Sequence, residues 1–221
     1  MHGWGGTHKL FDALFDSLSA AGCDVISLDL PGFGDSAAPS PHFTTDDYAD
    51  CVRGIIEKLG LCDVTVVGHS FGGRLAILLG VCPLVSAIVL VDGAGIKPRF
   101  SFRKWLRVGW YKRAKKRGSD LSGFGSADYK ALSGDMREIF VRVVNRHLDN
   151  DLKKINVPTL LIWGKNDKET PLYMAKRIKR VVKDCGLVVL EGGHFAYLEN
   201  SRQFCAIVRN FVFSALYTVH Y

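Results

Sequence analysis

The sequence predicts an α/β fold: a mostly parallel sheet with helices on both faces. Short apolar runs rich in β-branched residues end in turn residues, which is typical of buried strands. Five segments have this pattern: Val25 to Leu30, Val64 to Val67, Ala87 to Val91, Thr159 to Trp163 and Leu187 to Leu190. Segments with helical spacing lie between them, and such alternation favours parallel strands covered by helices.

The helical segments follow the strands in order along the chain. They are predicted at Leu10 to Ala20, Tyr48 to Leu59, Arg74 to Leu79, Leu172 to Val182 and Phe204 to Phe213. With 221 residues, the chain is long enough for one domain with a sizeable core.

The alternation is interrupted between Ile96 and Asp151. Two helical patterns, Phe102 to Lys116 and Asp135 to Leu148, flank a glycine-containing loop there. An insertion at this point of a parallel sheet is placed to cover the carboxyl edge of the strands. We therefore predict a core formed by residues 1–95 and 152–221, and a helical cap or lid formed by residues 96–151.

The formal net charge of +7 is concentrated in one place. Ten basic residues and no acid lie between Lys97 and Arg117, so the rest of the chain carries a net charge of −3. A body without excess positive charge argues against a nucleic-acid partner. The basic segment is expected to be a lid helix with a solvated face, and the alternative is an amphipathic helix that contacts anionic membranes.

From the sequence we expect neither a secretion signal nor a transmembrane segment. Its N-terminus, Met1 to Gly6, lacks a basic region followed by an apolar one, and its longest apolar stretch is too short to span a bilayer. We expect a cytoplasmic location. Six scattered cysteines, without a closely spaced pair, are then expected to be small buried hydrophobes.

A candidate nucleophile lies in the segment Gly68-His69-Ser70-Phe71-Gly72, directly after a predicted strand and before a predicted helix. This is the Gly-x-Ser-x-Gly pattern of a nucleophile elbow, in which a tight turn exposes the serine hydroxyl and needs small neighbours. By itself the pattern also fits an ordinary glycine-rich turn between a strand and a helix.

A serine hydroxyl is a weak nucleophile unless a neutral imidazole accepts its proton and a carboxylate orients that imidazole. His194 follows the last predicted strand and Asp167 follows the one before it, so both lie at the same sheet edge as Ser70. Asp92, at the end of another strand, is a rival for the acid. The other histidines are expected to be surface or packing residues.

Taken together, the motifs resemble the α/β-hydrolase family over nearly the whole chain. The matching segments are HGWGG at His2 to Gly6, DLPGFGDS at Asp29 to Ser36, GHSFGG at Gly68 to Gly73, VDGAG at Val91 to Gly95, LLIWGKND at Leu160 to Asp167 and GGHFAYLE at Gly192 to Glu199. The resemblance implies a Ser70, Asp167 and His194 triad, in the chain order usual for the fold, with the backbone N–H groups of Trp4 and Phe71 as oxyanion donors.

The resemblance also implies an activity. We expect a serine hydrolase that acts on a carboxylic ester or related acyl compound, with a small apolar acyl substrate and no cofactor. Carbon-carbon bond hydrolases and acyltransferases use the same fold, and a ligand-binding receptor that retains the triad is a further alternative. Oligomeric state does not follow from these motifs.

The chain departs from the family pattern at its start. Family members carry three strands before the HG loop, whereas here Met1 directly precedes it. The resemblance therefore implies an N-terminally truncated fold, in which the strand missing from the sheet lies between those predicted at Val25 and Val64. We expect a version with upstream strand residues to be more stable and more active.

Overall fold

The computed structural model describes residues 1–99, 132 and 134–218. Its sheet has four parallel strands in the order β1-β2-β3-β4. They are β1 (Val64–His69), β2 (Val85–Val91), β3 (Thr159–Gly164) and β4 (Cys185–Leu190). Four of the five predicted strands are thus confirmed, and each is longer than predicted by one or two residues at one end.

The register aligns the carboxyl ends of the strands. His69 pairs with Val91, Val91 with Ile162, and Gly164 with Leu190. The loops that begin at residues 70, 92, 165 and 191 therefore leave the sheet along one edge, as parallel strands require.

Helices cover both faces of the sheet. The described α-helices are α1 (Asp12–Ser19), α2 (Thr45–Lys58), α3 (Phe71–Leu79), α4 (Gly134–Asn145), α5 (Tyr173–Val181), α6 (Ala196–Glu199) and α7 (Ser201–Thr218), and two 3-10 turns occupy His8–Phe11 and Asp151–Lys154. Alternate residues of β2 serve the two faces: Ile88 and Leu90 pack with α2, α3 and α5, whereas Val89 and Val91 pack with α1 and α7. This confirms the α/β fold class with a parallel sheet between helical layers.

The prediction of a strand at Val25 to Leu30 is wrong. This segment forms no ladder with any described strand, and its Leu30 N–H donates to Nε2 of His2 at 3.0 Å instead. Ile26 is about half exposed. An apolar run becomes a strand only where a neighbouring backbone offers hydrogen-bond partners, and the edge strand β1 bonds to Met1 and not to this segment.

The insertion is described only in part. The helix predicted at Phe102 to Lys116 lies outside the described residues, and the one predicted at Asp135 to Leu148 is observed as α4. Arg74 of α3 anchors the end of α4, because its guanidinium donates to the carbonyl of Arg146 at 2.6 Å. Within residues 1–99, 132 and 134–218, no helix is long and apolar enough to cross a membrane.

Candidate active site

Ser70 lies in the turn that joins β1 to α3, and its backbone is strained. Its φ of 47° and ψ of −105° fall where non-glycine residues rarely occur. Three backbone hydrogen bonds hold this conformation. The Ser70 N–H donates to the carbonyl of Val91 at 3.0 Å, and the N–H groups of Gly73 and Ala94 donate to the carbonyl of Ser70. The strain is thus imposed by neighbouring strands and fixes the position of the serine side chain.

The two glycines of the motif are required by close packing. A Cβ on Gly68 would overlap the carbonyl of Gly72, and a Cβ on Gly72 would overlap the carbonyls of Met1 and His2. Backbone atoms cannot move aside as a flexible side chain can. The elbow therefore needs the Gly-x-Ser-x-Gly sequence for steric reasons.

His194 and Asp167 form a buried hydrogen-bonded pair. Nδ1 of His194 lies 2.8 Å from Oδ2 of Asp167. Since a carboxylate only accepts, Nδ1 carries the proton and Nε2 is left to act as a base. Asp167 also accepts from the N–H groups of Glu169 and Thr170 at 2.7 and 3.0 Å. Burial alone would raise the pKa of Asp167, but hydrogen bonds from His194 and Thr170 outweigh it and hold the pKa well below its usual range.

Asp92, the rival acid, occupies a different environment. It is fully buried, and its Oδ1 accepts from the N–H of Gly164 at 2.7 Å while its Oδ2 has no hydrogen-bond partner among the described residues. Burial raises the pKa of Asp92 to about 8, and the nearby charge of Asp167 adds to the effect. The Asp92 carboxyl is therefore neutral at pH 7, and His194 hydrogen-bonds to Asp167 instead.

The carboxylate oxygens of Asp92 and Asp167 and a ring nitrogen of His194 all lie within 4.8 Å of one another. Among the described residues, this is the group that could hold a metal ion by its donor atoms. However, the His194 nitrogen that faces Asp167 is already committed to a hydrogen bond. Asp167 is engaged in orienting the imidazole, as a triad needs, and Asp92 accepts from the backbone of Gly164 instead.

His69 is buried and forms a hydrogen bond to the backbone of His194. Its ring is 1 % exposed, and its Nε2 donates to the carbonyl of His194 at 2.9 Å. Burial lowers the pKa of His69 to about 3, with the neighbouring His194 contributing, so the ring is neutral. The burial of His69 fits the expectation of a packing histidine. The sequence motif did not predict its hydrogen bond to the backbone of His194.

Of the two residues predicted to supply oxyanion donors, Phe71 directly follows Ser70 in the chain, and Trp4 lines the same cavity as Ser70. Phe71 begins α3, so its N–H has no partner within the helix, and no hydrogen bond joins it or the Trp4 N–H to another described residue. The Trp4 ring packs edge-on against Phe71 at 5.2 Å between centroids. The N–H of Gly72 donates to the carbonyl of His2 at 3.1 Å, which ties the loop before Trp4 to the elbow.

A cavity of about 400 Å³ opens over these groups. Its lining includes Ser70, His194 and Trp4, with Leu10 and Phe195 providing apolar walls and Glu169 a carboxylate. A second cavity, of about 480 Å³, lies between α2 and the end of α3 and contains none of the predicted site residues. The predicted nucleophile and base thus share one concave site, and Asp167 reaches it through His194.

The hydroxyl of Ser70 makes no hydrogen bond to another described residue, and Nε2 of His194 instead lies 3.4 Å from Oε2 of Glu169. Catalytic hydrogen bonds are often long or poorly aligned in the free enzyme. Sequence reasoning did not identify Glu169, or Thr170, whose hydroxyl lies 2.7 Å from Oδ2 of Asp167. A threonine three residues after a carboxylate can donate back to it, which is the signal that would have indicated Thr170.

Comparison with known proteins agrees with the fold. Residues 1–207 match the sequence profile of a family described as the alpha/beta hydrolase family. Among solved structures, the chain resembles an esterase from Exiguobacterium antarcticum with a TM-score of 0.77 and 22 % identity, covering 96 % of this chain and 90 % of that one.

Curated relatives align over most of the chain. The AB hydrolase superfamily protein YisY of Bacillus subtilis is 27 % identical, over 96 % of this chain and 89 % of its own length. A 2-hydroxy-6-oxononadienedioate/2-hydroxy-6-oxononatrienedioate hydrolase from a Pseudomonas species is 26 % identical, over 95 % and 83 %. A pimeloyl-[acyl-carrier protein] methyl ester esterase of Neisseria meningitidis is 27 % identical, over 96 % and 91 %.

Proposed function

This chain belongs to the alpha/beta hydrolase family and is a hydrolase. From that premise we propose that it cleaves a carboxylic ester or related acyl compound through Ser70. The observation that carries the proposal is the 2.8 Å hydrogen bond between His194 and Asp167, beside a cavity that both His194 and Ser70 line. A strained serine, an oriented imidazole and an anionic carboxylate are the parts of a nucleophilic triad.

The proposed reaction has two halves. The Ser70 oxygen attacks the acyl carbon while Nε2 of His194 takes the hydroxyl proton, and the N–H groups of Trp4 and Phe71 stabilise the negative charge on the acyl oxygen. His194 then gives the proton to the departing alcohol, which leaves an acyl-enzyme. Water attacks this ester, again losing a proton to His194, and the acid is released as Ser70 regains its hydrogen.

Two relatives support different versions of the reaction. The Neisseria meningitidis relative is an esterase, which supports ester cleavage here. The Pseudomonas relative acts on 2-hydroxy-6-oxo dienedioates, which supports carbon-carbon bond hydrolysis as a second candidate. The apolar cavity walls formed by Leu10, Trp4 and Phe195 fit a small apolar acyl group, which favours the ester version.

Two experiments test the proposal. A fluorophosphonate probe should label the wild-type chain and leave Ser70→Ala unlabelled while that variant keeps its thermal midpoint. A panel of short-chain esters and carbon-carbon substrates then identifies the reaction. Equal labelling of the variant would remove Ser70 as the nucleophile, and labelling without ester turnover would favour the second candidate.

A further inference from the structure

Glu169 brings a carboxylate to the predicted reaction centre that the triad does not require. Its Oε2 lies 3.4 Å from Nε2 of His194, the nitrogen that faces the substrate, and its side chain is 62 % exposed. It lines the same cavity as Ser70. The loop after β3 thus carries two acids with different partners: Asp167 orients His194 from behind, while Glu169 stands on its substrate side.

Among the described residues, no lysine or arginine balances the charge of Glu169, and its contact with His194 is an ion pair only when that ring is protonated. No lysine or arginine is among the described residues that line the cavity, and none of the described lysines or arginines forms an ion pair with Glu169. The other ionisable side chains of the lining are His69 and His194. Burial lowers the pKa of His69 to about 3, so this ring supplies no positive charge at neutral pH.

An unbalanced carboxylate beside the reacting atoms affects substrates according to their charge. A substrate carboxylate held in this cavity would lie near Glu169 and find no cation among the described lining residues to pair with. A substrate cation in the same place would gain a partner. At about 6 Å and an effective dielectric constant of about 40, between surface and bulk values, one such pair changes binding about tenfold.

Resting on the proposed hydrolase function, we infer that Glu169 sets substrate charge: the enzyme selects acyl compounds that are uncharged or cationic near the scissile bond and discriminates against anionic ones. The dienedioates named for the Pseudomonas relative carry two carboxylates, so this inference disfavours that substrate class for this chain. The ester alternative with a neutral or amine-bearing alcohol fits the site better.

The test compares three acetate esters of matched shape, made from phenols that carry a meta trimethylammonium, tert-butyl or carboxylate group. The ratio of kcat/KM for the cationic ester to that for the anionic ester is measured in the wild type and in Glu169→Gln. Because each variant is compared with the wild type on the same esters, differences in leaving-group reactivity cancel. Because the cationic ester loses an attraction while the anionic ester loses a repulsion, we expect the ratio to fall about a hundredfold in Glu169→Gln and further in Glu169→Lys.

Glu191→Gln is the matched control, because it removes the same charge from an exposed residue that pairs with Lys165 at 2.7 Å and does not line the cavity. Its ratio should stay within threefold of the wild type. A fall of less than threefold in Glu169→Gln, or an equal fall in Glu191→Gln, would overturn the inference while ester turnover by the wild type upheld the proposed function. If the wild type hydrolysed none of the three esters, the proposed function and this inference would both fail.

Discussion

Replacing Asp92 by asparagine separates the two acids that sequence reasoning considered for the triad. The change keeps the shape of a fully buried side chain and retains an oxygen that can accept from the N–H of Gly164. Because Asp92 is already neutral at pH 7, asparagine also preserves its charge state. We therefore expect Asp92→Asn to retain activity within about tenfold, whereas Asp167→Asn loses about 10⁴-fold because His194 is no longer held in the correct tautomer.

The same substitution should stabilise the protein in a pH-dependent way. Burial raises the pKa of Asp92 from 3.8 to about 8, so the folded protein keeps a proton that the unfolded chain releases. Stability from this group is fully present below about pH 4 and is lost progressively up to about pH 8. Because pH 7 lies about three pH units above the start of this interval, the wild type has by then lost at most about 4 kcal/mol of unfolding free energy. Asparagine does not titrate, so the variant avoids this loss.

The assay is urea unfolding of wild type and Asp92→Asn at pH 5, 6, 7 and 8, with kcat/KM measured at each pH. The difference in unfolding free energy, variant minus wild type, should increase as the pH rises, by about 1 kcal/mol or more for each pH unit until the pKa is reached. Asp167→Asn is the contrasting variant, since it removes a charge that the fold stabilises. A pH-independent difference would refute the neutral state of Asp92, and inactivation of Asp92→Asn with active Asp167→Asn would exchange their roles.

Three further predictions follow from particular contacts. Ser70→Gly should raise the unfolding free energy by about 1 kcal/mol relative to Ser70→Ala, because only glycine adopts a φ of 47° without strain; equal thermal midpoints would contradict this. His69→Ala should lower the free energy of unfolding in denaturant by about 2 to 4 kcal/mol, because it leaves a cavity and removes the donor to the His194 carbonyl. A loss below about 1 kcal/mol would show that the ring is dispensable. Thr170→Val should cost about 1 to 2 kcal/mol at pH 7 and nearly the same at about pH 3, because the depressed pKa of Asp167 keeps its carboxylate ionised and accepting from the threonine hydroxyl over this range. A cost below about 0.5 kcal/mol in urea unfolding at pH 7 would argue against this hydrogen bond.

Much of the site could be predicted from local sequence because the fold is a parallel sheet. Once β1, β3 and β4 are identified, the residues that follow them must meet at one edge, whatever the details of packing. Ser70, Asp167 and His194 were found in this way. The steric need for Gly68 is equally local, since it faces the backbone of Gly72, whereas the need for Gly72 depends on the distant backbone of Met1 and His2.

The sequence by itself determined the fold class, four of the strands and the residues offered at the sheet edge, because alternation and turn chemistry act over short stretches of chain. Only the tertiary structure decided what depends on contacts between distant segments. Val25 to Leu30 has strand composition but pairs with none of the described strands, Asp92 is neutral because of the interior that surrounds it, and Glu169 faces His194 through the fold of its loop. A pairing partner, a local dielectric environment and a side-chain direction are properties of the assembled chain.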